Sequence, residues 1–244
     1  MIKIKQILLS LCGTLTIIST IAANPIKLSD LNYKSASVLP YYYHHREKWA
    51  ILPREAFGKD KGTCDDFGGS RDKGETHPVQ TAGHELYEEA IASQTLGLTL
   101  RQTIDFINKN STYIISYSDN RGTCNVTYIT NFDHCKNQFF KNFYNARNNA
   151  PSHKYKEKDK IFIVKWKNLK KAIIDQANSF TNRWFGRFFN RRLTVKALEL
   201  DPHTNQFNPA NVTLRPFFVK KMRSFFLNKP YQHGMNKRIR HYNE

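Results

Sequence analysis

The stretch from Pro78 to about Ser93 makes two demands on one helix, and few folds can meet both. Val79, Ala82, Leu86 and Ala90 recur at helical spacing, which predicts a helix with one face in a core. Glu85, Glu88 and Glu89 stand at i, i+3 and i+4, so at about 100° per residue they share the other face, one turn apart. Three carboxylates this close repel one another and destabilise an isolated helix. Either water solvates them as an ordinary acidic face, or a divalent cation resolves the conflict. Mg²⁺ and Mn²⁺ suit oxygen ligands and keep positions open for water and phosphate. Thr76 is the expected N-cap, with Pro78 in the first turn.

The flanking sequence predicts both strands and helices. Val38, Leu39 and Tyr41–Tyr43, then Trp49–Leu52, read as two strands around a His44–Glu47 turn. Polar, glycine-rich turns follow at Gly58–Gly62 and Asp65–Gly69. Helical stretches are expected at 100–108, 138–147, 169–177 and 212–226, the last started or interrupted by Pro216. Strands are expected at 112–117, 125–130, 160–166 and 193–200. Strands and helices alternate without a regular βαβ rhythm, which implies an α/β fold with a mixed sheet covered by helices.

The residues around the acidic helix resemble the Nudix box. Gly69-Ser70-Arg71-Asp72-Lys73-Gly74-Glu75, followed by His84-Glu85-Leu86-Tyr87-Glu88-Glu89, is similar to a glycine, five residues, a glutamate, a gap, then Arg-Glu-apolar-x-Glu-Glu. The hairpin leading through Trp49–Leu52 to Arg54, Glu55 and Gly58 also fits, and the likeness extends from about Ser35 to Trp166. Three departures stand out. The gap after Glu75 holds eight residues rather than seven, a loop insertion that costs little. His84 replaces arginine, so its charge depends on pH. Ile91 stands where glycine is usual, so the helix is expected to run on rather than stop.

The resemblance implies a Nudix-like α/β/α sandwich and a Mg²⁺-dependent (Mn²⁺ also suitable) hydrolase of diphosphate bonds in nucleoside diphosphate-linked substrates. Glu88 and Glu89 would be the main metal ligands, and Glu85 a further ligand or the base that orients water. A backbone carbonyl at Gly68 or Gly69 would complete the coordination, and Glu75 would support the loop. A downstream acid often assists in that family, and Glu157 is the candidate here; its other reading is a surface acid in a lysine-rich turn. Arg54 and Arg71 are candidates for phosphate contacts. Two rival readings stand beside the enzyme: a binding module that has lost turnover, motivated by His84 and Ile91, and a basic protein that holds nucleic acid or an anionic surface. For the second, residues 183–192 mix arginines with Trp184, Phe185, Phe188 and Phe189, as single-strand binders do; the same rings also suit the apolar face of a helix.

The chain ends supply a compartment. Lys3 and Lys5, an uncharged apolar run from Ile7 to about Ile21, and then Ala22 and Ala23 have the layout of a cleaved secretory signal over residues 1–23. That run is short for a membrane span, which needs roughly 20 apolar residues, and no later segment is long and apolar enough. A single domain over 24–228, a basic tail over 229–244 and a secreted or periplasmic destination follow as expectations. Losing residues 1–23 removes two lysines and no acid, taking the formal charge from +18 to +16. That charge favours polyanions such as nucleotides, and also keeps an exported protein soluble. Cys64, Cys124 and Cys135 permit one disulfide in an oxidising compartment, with the pairing open. Without a Cys-x-x-Cys pair they make a poor zinc site.

Overall fold

The computed structural model describes residues 28–118, 122–181 and 192–227. The expected leader over 1–23, nearly all of the aromatic-basic segment 183–192 and the basic tail 229–244 lie outside the described residues. The strands are β1 (Tyr33–His44), β2 (Glu47–Glu55), β3 (Thr63–Cys64), β4 (Phe67–Ser70), β5 (Ser111–Ser118), β6 (Thr123–Asn131), β7 (Lys158–Lys165), β8 (Leu193–Leu200) and β9 (Phe207–Leu214). The helices are α1 (Pro78–Glu89), α2 (Ala92–Thr95), α3 (Leu100–Asn110), α4 (Lys136–Asn148), α5 (Trp166–Thr181) and α6 (Pro216–Phe226).

The nine strands form one mixed sheet in the order β3-β9-β8-β7-β2-β1-β6-β5, with β4 paired to β1. β1 and β6 run parallel, as do β3 and β9, while the other pairs are antiparallel. The β1–β2 hairpin turns through His45 and Arg46, both at positive φ (48° and 62°). That is the geometry whose twist matches two paired strands.

Period-2 alternation sends side chains to opposite faces, and both faces are covered. Val38, Tyr42, Ile51, Ile161 and Ile163 pack in one core with Val79, Ala82 and Leu86 of α1, Ile107 of α3 and Phe139 and Phe143 of α4. Leu39, Ala50, Leu52, Phe162 and Val164 pack in the other with Leu169 and Ile173 of α5 and Phe218 and Met222 of α6. The molecule is thus an α/β/α sandwich around a mixed sheet, as the sequence pattern predicts.

Several local expectations are corrected. The N-cap of α1 is His77, not Thr76. Its Nδ1 accepts from the Val79 N–H, and Gln80 Oε1 accepts from the His77 N–H at 3.0 Å, a reciprocal cap. The helix does not run on through Ile91: α1 ends at Glu89, and Ile91 takes the left-handed conformation (φ 53°, ψ 52°) before α2. Residues 212–214 belong to β9, a strand that the sequence disguised with Pro209 and three asparagines around it. All three described cysteines are free thiols, and burial pushes each pKa up, Cys124 to about 11 and Cys135 to about 12.

Candidate functional site

The site is built where α1 passes the glycine strand β4. Gly68 and Gly69 lie opposite Ser37 and Ala36 of β1. A methyl group on Gly68 would collide with Ser37, and one on Gly69 with the Glu85 carboxylate. Gly68 is therefore required by close approach to the β1 backbone, whereas at Gly69 a Cβ would displace the Glu85 carboxylate.

The loop between β4 and α1 is braced by Glu75, which is 5% exposed. Its carboxylate accepts from the Asp72 N–H at 2.9 Å and from the Thr81 hydroxyl, and it pairs with His84 Nδ1. Arg71 Nε donates to the Glu75 carbonyl at 2.7 Å, and its guanidinium lies 4.7 Å over the Tyr33 ring. Burial alone would raise the Glu75 pKa, but the bonds from Thr81, Asp72 and His84 outweigh it and hold the carboxyl below its ordinary value. Asp72, Glu75 and His84 also bring one donor atom each within 4.8 Å of one another. Those Glu75 oxygens are already satisfied, so the cluster is a structural brace.

The three glutamates of α1 do not share one fate. Glu89 is buried (3% exposed). Its Oε2 accepts from the Gly68 N–H at 2.8 Å, and its Oε1 lies 3.1 Å from the ammonium of Lys158. Glu88 is partly exposed and pairs with Lys154 at 2.7 Å. Glu85, against Gly69, has neither a hydrogen-bond donor nor an ion pair among the described residues. Burial, with Glu88 and Glu157 as like charges nearby, pushes its pKa up to about 7. Among the described residues Glu85, Glu88 and Glu89 do not bring one donor atom each within 4.8 Å of one another.

The other predicted residues divide in the same way. Glu157, exposed, follows the single-turn helix His153–Lys156 and lies close enough to Glu85 to raise its pKa. Arg54 is not brought to the acids as a free cation: its guanidinium forks onto Asp159 at 2.8 and 2.7 Å. Arg71 is at the loop, engaged with Glu75 and Tyr33 as described.

Beneath the glutamates lies a buried ionic network that the sequence did not reveal. The Lys158 ammonium, with its side chain 0% exposed, contacts Glu55 at 2.7 Å, Asp65 at 3.1 Å and Glu89 at 3.1 Å. Burial would discharge the amine, but Glu89, Asp65 and Glu55 outweigh it and hold its pKa above the ordinary lysine value. Arg215, at the head of α6, reaches Asp65 at 2.8 Å and Asp60 at 2.7 Å. Lys221 of α6 reaches Asp66 at 2.7 Å and Ser37 at 3.1 Å. These pairs fasten α6 beside the glycine strand, where a cleft of about 450 Å³ opens between Lys34, Gly69, Asn125, Arg215, Phe217 and Lys221.

The donor set can be tested against a divalent ion. Glu85 fits, because a half-buried carboxylate without a donor calls for a cation. Glu88 and Glu157, partly and fully exposed, add negative charge near it, but among the described residues the three do not bring donor atoms within 4.8 Å of one another. Glu89 fits less well, because each of its oxygens already has a partner, the Gly68 N–H for one and the Lys158 ammonium for the other.

No protein-family model matches the chain, and no curated protein is significantly similar to it. Solved structures that it resembles include an Ap4A hydrolase from C. elegans, at 14% identity over 42% of this chain and 67% of that one, TM-score 0.28. Another is the NUDIX domain of Shewanella oneidensis NrtR, complexed with ADP ribose, at 15% identity over 46% and 69%, TM-score 0.26. A MutT/nudix family protein from Enterococcus faecalis matches at 9% identity over 81% and 63%, TM-score 0.37. At these identities and TM-scores the likenesses carry no weight for activity, and the functional reading rests on the side chains.

Proposed function

We propose that the chain is an exported, divalent-cation-dependent hydrolase that cleaves diphosphate bonds in nucleotide-like substrates. The observation that carries this reading is Glu85: an unpaired carboxylate wedged against Gly69, beside two more acids and the mouth of the cleft. Without an ion its pKa is about 7, and a divalent cation beside it would lower that value, so the carboxylate would be ionised and able to accept a proton at neutral pH. In this reading Glu85 takes the proton of an attacking water, while Glu88 and Glu157 supply further oxygens for the ion. A bound Mg²⁺ or Mn²⁺ would offset the negative charge of the diphosphate oxygens. Glu75, Thr81 and His84 keep the glycine loop in register with α1, and the cleft takes the remainder of the substrate, with Phe217 (41% exposed) available to stack a ring. The net charge, +18 for the full chain and +16 without residues 1–23, favours the approach of such anions.

The test is release of phosphate or nucleotide from ADP-ribose, NAD and dinucleoside polyphosphates with Mg²⁺ or Mn²⁺. Glu85→Gln should lower kcat by about 10²–10⁴, the usual worth of a positioned base. Turnover that persists at the wild-type rate in Glu85→Gln refutes the assignment. A second reading, a binding module without turnover, draws on Lys158 and Lys154, which neutralise two of the three helix glutamates. It is favoured if the same panel gives tight binding and no product.

A further inference from the structure

Lys158 has three carboxylates around it: its ammonium donates to Glu55 and Asp65 and forms an ion pair with Glu89 at 3.1 Å. Arg215 also reaches Asp65 at 2.8 Å and Glu55 at 3.3 Å, whereas Glu89 has Lys158 as its one ion-pair partner among the described residues. The amine cannot swing away as Lys154 can: the Lys154 side chain is 57% exposed, that of Lys158 0%. An incoming ion that claimed Glu89 would compete with the Gly68 N–H and the Lys158 ammonium for its oxygens, and would sit close to a buried positive charge. Lys154, by contrast, gives up Glu88 to an ion at the small cost of one exposed pair.

We propose that Lys158 is a resident cation that removes Glu89 from the ion-binding set. Glu89 is instead a positioning residue: it holds Gly68, and so the Gly68–Gly69 strand, against α1. Divalent-ion binding falls to Glu85, with Glu88 and Glu157 as the like charges near it. This assignment rests on the metal-dependent reading above and narrows it, because the second of two adjacent glutamates is withdrawn from coordination and a residue of β7 takes over its charge.

The test is calorimetric titration of the purified chain with Mn²⁺ alone, without substrate. Wild type and Glu89→Gln should bind Mn²⁺ within about threefold of each other, whereas Glu85→Gln should bind at least about tenfold more weakly, since ligand charge sets affinity at oxygen sites. Loss of affinity in Glu89→Gln equal to that in Glu85→Gln overturns the assignment and leaves the metal reading standing. No Mn²⁺ uptake by wild type overturns both. Should Glu89→Gln fail to fold, Lys158→Gln answers the same question through thermal melts. Without its resident cation the nest of Glu55, Asp65 and Glu89 becomes an ion site, so Mn²⁺ should raise the Tm of Lys158→Gln more than that of wild type. An equal or smaller rise overturns the assignment.

Discussion

Replacing Ile91 with glycine, the residue usual there in the resembling motif, should destabilise this chain. Two effects oppose each other at φ 53°, ψ 52°. An L-residue in the left-handed region costs about 1–2 kcal/mol, more awkwardly for a β-branched side chain, and glycine relieves that strain. Against this, Ile91 is 1% exposed and packs with Ala146, Ala150 and Tyr155. Truncating a buried isoleucine to alanine costs about 2–5 kcal/mol. Ile91→Ala should therefore lose about 2–5 kcal/mol, since it keeps the strain and loses the packing. Ile91→Gly should lose about 1–3 kcal/mol, because the strain goes too. For a chain of this size each kcal/mol shifts Tm by about 2–4 °C. Urea denaturation followed by far-UV circular dichroism at neutral pH ranks the three proteins. Ile91→Gly above wild type, or below Ile91→Ala, would refute the reasoning. The order matters for the site as well. Tyr155, on which Ile91 packs, lies in the single-turn helix that carries Lys154 to Glu88 and leads into Glu157. Strained backbone is retained where neighbours over-determine it, and here the neighbour is the turn that completes the acidic group.

Lys158→Met leaves the buried Glu89 without a counter-ion and Glu55 and Asp65 sharing Arg215, and should cost about 3–5 kcal/mol at pH 7.5, as removal of one partner from a buried pair usually does. The loss should shrink at pH 5.5, because burial raises the pKa of Glu55 and Glu89 and eases their protonation, and equal denaturation midpoints for wild type and variant at both pH values would contradict it. Glu85 sets a pH dependence of its own. Its folded pKa, about 7, lies above the unfolded value of 4.5, so the folded state binds more protons between them and metal-free stability falls as pH rises through that window. Glu85→Gln should flatten that slope in melts from pH 4.5 to 8, and an unchanged slope would count against it. Glu75→Gln weakens a brace that receives bonds from Asp72, Thr81 and His84. A loss of about 1–3 kcal/mol is expected in urea denaturation. The wild-type carboxyl is held below its ordinary pKa, so its contribution should be present at neutral pH and fade as pH falls through the carboxylate range.

What could be read in the sequence was what local periodicity writes there. The alternation of Ile161 and Ile163 against Phe162 and Val164 assigned residues to the two sheet faces, and the spacing of Val79, Ala82, Leu86 and Ala90 oriented α1. β9 was hidden because Pro209 and its asparagines argue against a strand; it forms at the side of β8, where tertiary pairing overrides propensity. The fate of the three glutamates was not legible for a different reason. Helical spacing fixes which residues share a face, but not what the sheet presents to that face. Lys158 faces Glu89 because β7 pairs with β2 in a register that sets Lys158 opposite Glu55, with a bulge between Arg54 and Glu55. A one-residue slip in that pairing would turn Lys158 away and send another residue inward. Nothing in the lysine-rich run around Lys158 distinguishes the one amine that is enclosed from those that are solvated. The number of cations already inside the site is therefore decided by strand register rather than by the acidic motif. Two chains with the same glycine strand and the same glutamates can thus differ in which of those glutamates an ion is free to use.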